Sequence, residues 1–527
     1  MGKLKAGWAE RDITPKGPSH IPGHHNMRIS EGVVDPLTTT ALVLENGGDV
    51  TVFVSIDGTS MRKWITDEIR GKAVNKCPQL TESKIIAFMT HSHNAASHYY
   101  DGGKLDETLI ERFSEEQLKK ELETYIPQSF MDVPRPGMQI SSSDEYRDYV
   151  AEQVSDAIIE AYETRRETGI AYGYGYAVVA HSRRTVYFDD YSKRPGVELN
   201  SLTAVHGHAV MYGNTDDEQF SHYEAGADHT VNVMFAFDTE KKLTGAVINI
   251  PCPSQCSESE YSQLISADYW HDVKKAVREK LGNIPILAQC AAGGDLSPRI
   301  LHYKKAQNRR FMLKYGVDDV TGRVEELARR DIAERVCFAV EEIYSWAKND
   351  IDYGAALAHE VRTLELERRD ISEEQYNTAL ESIEQLKKEP FKFDIGSAKE
   401  NLDYNSILKS KRNRFVRIAQ RYEASKIKPT FSAEVHAVKV GNIAFATSQF
   451  ELYMDFMHRI QARSPFAQTF IVQLCGQPDG RGSGSYLATE RGVAGKGYSA
   501  SVFCNAVSPE GGQRLVEETL SMLSGLK

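Results

Sequence analysis

The chain has 527 residues, of which 41% are hydrophobic and 26% are charged, and its formal net charge is -11. A net negative charge argues against nucleic acid or an anionic membrane surface as the main partner, because both attract basic surfaces. No apolar stretch approaches the ~20 residues that span a bilayer, so we expect no integral membrane segment.

Cysteine usage and the N-terminal residues indicate the compartment. The seven cysteines are an odd number and are scattered along the chain, which is not the pattern of a disulfide framework. Residues 1–15 include basic side chains with no apolar run behind them, so no secretory signal is expected. We therefore expect a reduced, cytoplasmic protein, and the sequence leaves its oligomeric state open.

The N-terminal third alternates strand-like and helix-like patterns. Short apolar runs predict strands at 41–45, 52–56 and 84–89, and helical spacing of apolar residues predicts helices at 62–74 and 144–166. This β-α-β order favours an α/β fold in which part of the sheet is parallel.

The remaining elements complete a mixed sheet with helices. Further strands are predicted at 245–250, 284–288, 431–440, 443–447 and 470–474, with a helix at 269–281 and a glycine-rich loop at 476–484. Gly441-Asn442 is a good hairpin turn between two of these strands. The charged, helix-rich stretch at about 320–428 is interpreted as a helical insertion in a single domain covering residues 1–527.

Polar residues follow several of the predicted strands. They are Asp57, His91 with His93, Cys252, Asp295 with Ser297, and Tyr486 beyond its loop. Ligands of open α/β sheets gather at the carboxyl ends of the strands, so these residues are expected to line one pocket.

The sharpest local motif is Thr-His-Ser-His at 90–93. If the strand continues through it, His91 and His93 point to the same side. Neutral imidazoles so placed bind a cation such as zinc, although ordinary structural histidines have the same spacing. His206 with His208, and His24 with His25 in a Pro/Gly-rich loop, are poorer candidates.

A second motif is Gly-Asp-Leu-Ser-Pro at 294–298. Glycines allow the backbone to approach a ligand closely. Taken alone, the motif is explained better by a tight turn capped by Asp295 than by a catalytic role. Because the segment is not a G-x-S-x-G elbow, it does not indicate an α/β-hydrolase triad. The C-x-x-x-C spacing of Cys252 and Cys256 lacks a second pair and is weak evidence for structural zinc.

Four blocks in order resemble the neutral/alkaline non-lysosomal ceramidase family over nearly the whole chain. They are Asp-Ile-Thr-Pro at 12–15, Thr-His-Ser-His at 90–93, Gly-Asp-Leu-Ser-Pro at 294–298, and Ser-Tyr-Leu-Ala-Thr at 485–489 followed by Tyr498. The order and spacing of the blocks are more specific than any single block. The fold implied is the ceramidase catalytic domain.

The resemblance also implies a zinc site and the groups around it. The metal ligands would be His91, Glu451, Tyr486 and Cys252, the last standing where the family has its second zinc-binding histidine. A thiolate is a good zinc ligand, although His206 or His229 is the alternative. The implied catalytic residues are His93, Tyr498, Arg183 (or Arg184 as the match), Asp295 and Ser297.

The expected function is zinc-dependent hydrolysis of an amide bond. Ceramidases of this family carry an additional β-rich C-terminal domain, and this chain stops at Lys527 without room for one. Together with the missing secretion signal, this favours a small, soluble N-acyl or sugar-containing substrate over ceramide in a membrane. Two alternatives remain: a carbohydrate-active enzyme on the same scaffold that cleaves a glycosidic or ester linkage, and a non-catalytic metal- or ligand-binding paralogue.

Overall fold

A computed structural model describes residues 2–99, 113–120, 122–125, 129–476 and 486–527. These residues form three main β-sheets. In spatial order, the first sheet contains the strands Ile85–Met89, Asp49–Ile56, Thr38–Asn46, Lys5–Asp12 and Arg166–Glu167. The second contains Ile286–Cys290, Leu243–Ile250, Thr230–Phe237 and Gly169–Tyr176, and the third contains Leu357–Glu367, Thr430–Val440, Ile443–Thr447 and Gln468–Val472.

The shorter strands form separate small sheets. Arg184–Tyr187 pairs with Ala209–Met211 and Phe220–Tyr223, and four further short pairs form. Those pairs are His20–Ile21 with Arg28–Ile29, Gly32–Val33 with Leu264–Ile265, His181–Ser182 with Leu296–Ser297, and Glu451–Leu452 with Tyr486–Leu487.

The three sheets share one apolar core. Phe53 of the first sheet packs on Phe445 of the third, with ring centroids 4.9 Å apart, and Val247 and Leu287 of the second sheet join the same cluster. Aromatic and branched side chains suit such pleated, buried surfaces. The sheets therefore pack directly against one another, and their outer faces remain for helices.

Helices cover those outer faces. Lys63–Lys76 and Ser143–Thr164 pack on the first sheet, Tyr269–Leu281 and Val324–Ala347 on the second, and Met454–Arg463 and Pro509–Leu526 on the third. The remaining α-helices are Glu115–Lys120, Leu122–Tyr125, Lys304–Tyr315, Glu373–Lys387, Ala398–Ile427 and Glu490–Gly495. No helix of the described residues has the length and apolar character needed to cross a membrane.

The predicted α/β class with a mixed sheet is confirmed. Each main sheet contains one parallel pair, namely Asp49–Ile56 with Ile85–Met89, Leu243–Ile250 with Ile286–Cys290, and Ile443–Thr447 with Gln468–Val472. The predicted turn at Gly441-Asn442 joins two adjacent strands, and Gly441 has a positive φ of 60°. Most of the predicted glycine-rich loop at 476–484 lies outside the described residues.

The segment at 320–428 differs from the predicted helical insertion. It includes the eleven-residue strand Leu357–Glu367, which pairs along its whole length with Thr430–Val440, and the helix Val324–Ala347 covers the second sheet. Only Glu373–Lys387 and Ala398–Ile427 form an added helical pair, and each begins with a serine capping box. Apolar and charged residues alternate at 364–367, as expected for a strand with one buried face, but the alternation of burial breaks in the middle of the strand.

Candidate active site

His91 lies just beyond the first sheet. The strand ends at Met89 and does not continue through the motif, because His91 has a φ of 67°, in the left-handed region. Its Nδ1 lies 2.5 Å from the carbonyl oxygen of Thr59, and its Nε2 lies 3.3 Å from Oε2 of Glu451. The buried imidazole is therefore aimed at Glu451, on the short strand Glu451–Leu452, which follows the strand Ile443–Thr447 of the third sheet along the chain.

Glu451 is held by neighbours on both sides. It pairs in parallel with Tyr486, and the backbone N–H of Gly294 donates to the carbonyl of Leu452 at 2.9 Å. A Cβ atom on Gly294 would stand 2.3 Å from the carbonyl oxygen of Glu451, so only glycine fits there. The glycine of the Gly-Asp-Leu-Ser-Pro motif thus allows the strand bearing Glu451 to approach.

The electrostatic environment keeps the Glu451 carboxylate charged. Burial alone would raise its pKa, but His91, Arg183 and His93 lower the pKa to about 2. Its Oε2 is buried and has no hydrogen-bond partner among the described residues. A charged oxygen without such a partner is costly unless a cation meets it.

Arg183 supplies a fixed positive charge. Its guanidinium is fully buried and donates to the carbonyl of Gly294 at 2.9 Å and to the Tyr486 hydroxyl at 3.4 Å. Its Nη2 lies 3.5 Å from Oε2 of Glu451. Arg184, by contrast, forms a two-point ion pair with Glu224. The structure therefore brings Arg183, and not Arg184, to His91 and Glu451.

Two tyrosines border the same space. The rings of Tyr486 and Tyr498 meet edge to face with centroids 6.1 Å apart; Tyr486 is buried and Tyr498 is partly buried. Burial raises the pKa of both phenols, so they are protonated hydrogen-bond donors at neutral pH.

His93 belongs to a second group of side chains. Its ring lies 4.9 Å from that of His91, and its Nδ1 lies 2.7 Å from Oε2 of Glu258. His24 approaches the same carboxylate oxygen, with Nε2 at 3.3 Å. Burial lowers the pKa of His24 to about 3 and that of His93 well below its ordinary value, so both imidazoles are neutral.

Cys252 lies in a different environment from the other predicted ligands. Its thiol is fully buried and donates to the carbonyl of Pro253 at 3.6 Å. Burial, followed by Cys290 and Cys256, raises its pKa well above the ordinary value. Within the described residues, the one group of three His, Cys, Asp or Glu ligand atoms lying within 4.8 Å of one another is His24, His93 and Glu258. Cys252 as a ligand stays a prediction.

The acidic and hydroxyl groups of the Gly-Asp-Leu-Ser-Pro motif have local contacts. Asp295 accepts from the backbone N–H of Met454 at 3.0 Å, at the start of the helix that follows Glu451. Ser297 Oγ accepts from the backbone N–H of Arg299 at 3.2 Å, and no described histidine hydrogen-bonds to it. Activation of a serine nucleophile needs an adjacent base, so this geometry favours positioning roles for both residues.

Part of this centre was not predicted from the sequence. Glu258 and Gln255 were not among the candidate residues, and His24 was expected to be a loop histidine. Gln255 contacts both groups: its side-chain oxygen accepts from Arg183 at 3.0 Å, and its Nε2 lies 2.6 Å from Nε2 of His93. Gln255 and Glu258 follow the same strand as Cys252, which is the signal that could have included them.

The pair His91 and Glu451 fits a metal ion. Two donors on a tetrahedral zinc ion, each at about 2.0–2.1 Å, stand about 3.3 Å apart, which is the separation of Nε2 and Oε2 here. The contact of Nδ1 with a backbone carbonyl is the usual way in which proteins orient a metal-binding imidazole. Oε2 of Glu451 forms no hydrogen bond among the described residues, with Arg183 at 3.5 Å, and so is available to a metal ion.

Comparison with solved structures identifies the architecture. A neutral ceramidase from Pseudomonas aeruginosa superposes on 100% of this chain and 75% of its own, with a TM-score of 0.63 and 14% sequence identity. The chain has the neutral ceramidase fold. A ceramidase complexed with C2 matches over the same shares of both chains, with a TM-score of 0.60 and 13% identity. The sequence matches no protein-family model, and no curated protein matches it either.

The fold predicted from the four motif blocks is therefore confirmed. At 14% identity, a likeness of structure shows the fold and does not transfer an activity. The chemistry of this chain has to be argued from its own residues.

Proposed function

We propose that the protein is a metal-dependent hydrolase that cleaves an amide bond in a small polar substrate. The observation that carries this proposal is the convergence of His91, Glu451, Tyr486 and Arg183 in one buried cluster on a ceramidase fold. These residues come from separate regions of the sequence, and each has a specific polar contact within the cluster.

The donor set supports a borderline-soft divalent cation such as zinc. The imidazole of His91, the carboxylate of Glu451 and the phenol of Tyr486 would hold it. When bound, such an ion supplies Lewis acidity at the point where the substrate carbonyl reacts.

The residues themselves supply fixed charge and hydrogen-bond donors. The hydrogen bond from Arg183 to the carbonyl of Gly294 fixes its guanidinium, so its charge needs no reorganisation during the reaction. The protonated phenol of Tyr498 and the imidazole of His93 can donate hydrogen bonds to the oxygen on which negative charge develops.

A cavity beside His24 supports a polar substrate. Its volume is about 540 Å³, and it lies between the loop at 18–31 and the helix Ala398–Ile427. Its lining combines polar side chains, including Asn26, Arg28, Gln139, Gln263 and Lys399, with apolar ones such as Met27, Met138 and Leu402. Hydroxyl and amide groups of a substrate would find partners among the polar side chains.

The test combines metal analysis with a substrate panel. Protein purified without chelator is measured for metal content and assayed on N-acetylated amino sugars, N-acyl amino acids and long-chain ceramide. We expect turnover of a small N-acyl compound, and a loss of at least about 10²-fold in kcat/KM for Arg183→Lys. His91→Ala should lose both turnover and metal.

A surface histidine provides the matched control. His222 is exposed and its Nδ1 contacts only its neighbour Ser221, so His222→Ala should retain metal and turnover. Full metal content and wild-type turnover in His91→Ala would refute the proposed site. Efficient hydrolysis of ceramide with none of the small compounds would refute the substrate class.

A further inference from the structure

We propose that His24, His93 and Glu258 form a site for a divalent transition-metal ion, distinct from the site predicted at His91 and Glu451. The three ligand atoms lie within 4.8 Å of one another. The two histidines come from segments about 70 residues apart in the sequence, and Glu258 follows a strand of the second sheet. Their convergence therefore arises from the tertiary fold.

Both imidazoles of the group approach one carboxylate oxygen. Nδ1 of His93 and Nε2 of His24 approach the same atom, Oε2 of Glu258, at 2.7 Å and 3.3 Å. Yet this buried oxygen has no hydrogen-bond partner among the described residues. The three ligand atoms therefore converge without a hydrogen bond that accounts for their close approach.

The other oxygen of Glu258, Oε1, is paired with Arg299. Oε1 accepts a hydrogen bond from the Arg299 guanidinium, whose Nε also donates to the carbonyl of Gln255 at 3.1 Å. This contact fixes the carboxylate plane and leaves Oε2 as the single oxygen directed at the imidazoles. Two histidines and one carboxylate are a donor set that proteins use for catalytic zinc, with a fourth position left open.

The open position faces the cavity described above. His24 lines that cavity and is only partly buried, whereas His93 and Glu258 are buried behind it. Arg28, also on the cavity wall, donates to the carbonyl oxygen of His93 at 2.6 Å. Since Arg28 and Arg299 add positive charge, an anionic group such as a substrate carboxylate is the favoured fourth ligand.

The loop that supplies His24 is held in place from the far side. Asn26 donates to Oδ1 of Asp403 at 2.8 Å, and the backbone N–H of Met27 donates to Oγ of Ser406 at 2.8 Å. Both acceptors lie on the helix Ala398–Ile427. The helical pair therefore preorganises His24, which reduces the conformational entropy lost when an ion binds.

Metal stoichiometry tests the site without any activity assay. The full-length protein is stripped with chelator, reloaded with Zn²⁺ or Mn²⁺, desalted and analysed for metal per chain. We expect His24→Ala and Glu258→Gln each to bind one equivalent less than wild type. His25→Ala is the matched control, because it removes the adjacent imidazole, which packs on Tyr498, and should leave the stoichiometry unchanged.

The comparison with His91→Ala separates this site from the proposed active site. Loss of one equivalent in His24→Ala, and of a different one in His91→Ala, would support both sites. Wild-type stoichiometry in His24→Ala would overturn the inference and leave the proposed function standing. Since His24 is half-buried and has one ion-pair contact, its alanine variant is expected to fold, and its thermal unfolding without metal is the check.

Discussion

Replacement of Gly294 by alanine tests how tightly the candidate site is built. The new Cβ would stand 2.3 Å from the carbonyl oxygen of Glu451 and 2.8 Å from its carbonyl carbon. Ordinary contact begins at 3.4 Å, so the two backbones would have to separate by about 1.1 Å. Both partners are backbone atoms and cannot rotate away.

The size of the effect follows from that displacement. Overpacking of this kind costs about 1–3 kcal/mol of unfolding free energy. A displacement of about 1 Å in a catalytic group lowers kcat/KM by about 10²-fold. Gly294→Ala should therefore lower the urea midpoint modestly and lower amide turnover and metal affinity strongly.

Gly71 is the matched control for this substitution. It lies in the helix Lys63–Lys76, and a Cβ atom added to it would have nothing within 4 Å, so Gly71→Ala should be neutral or stabilising by up to about 1 kcal/mol. Urea unfolding and a metal titration are measured on both variants. If Gly294→Ala matches wild type in both measurements, the close approach of the two segments does not position Glu451.

Three further predictions concern buried charge, pH and the thiol. Lys274→Met should destabilise the protein by about 3–5 kcal/mol in urea unfolding, because it leaves Asp57, 3.2 Å from Nζ, buried and unpaired; a loss below about 1 kcal/mol would contradict this. Burial opposes the charge of Glu434, but His436 and Arg70 lower its pKa from 4.5 to about 2, so its stabilisation is present above pH 4.5 and is lost as the pH falls towards 2. Because Glu434 is partly exposed, Glu434→Gln should lower the free energy of unfolding at pH 7 by a reduced amount, about 2 kcal/mol, and remove its dependence on acid pH. An unfolding free energy that still falls with pH below 4.5 in this variant would contradict the prediction. Cys252 should resist iodoacetamide in native protein with or without chelator, since its side chain is fully buried; labelling that appears only after chelation would place it on the metal.

Local patterns in the sequence were sufficient to predict many of the strands in the three main sheets. Runs such as 52–56 and 443–447 are buried on both faces, so their continuous apolar character identified them as strands. Among the polar residues that follow these strands, His91 reaches Glu451, which was predicted from the family resemblance and not from the strand pattern. Asp57, by contrast, binds Lys274 and the backbone N–H of Thr38, and so has a structural role.

Contacts between distant segments could not be predicted in the same way. The motif at 90–93 gave no sign of the positive φ at His91. Because of that φ the backbone is not a strand there, and side chains do not alternate between two faces. Nor does any local pattern pair His24 with Glu258, which is more than 200 residues away in the sequence. The family resemblance supplied what periodicity could not, including Glu451, but it did not include Gln255 or Glu258.

The two groups of ligand-type residues are held in place by different parts of the fold. His91 and Glu451 are fixed by the backbone at the junction of two sheets, through the Thr59 carbonyl and the close approach of Gly294. His24 is instead carried by a loop whose position depends on the helix Ala398–Ile427. Because the sheets form the common core, changes there would disturb the whole fold, whereas the loop and helix can vary at a smaller cost in stability. Reaction chemistry would then reside with the sheets, and selection of the substrate with the loop that carries His24.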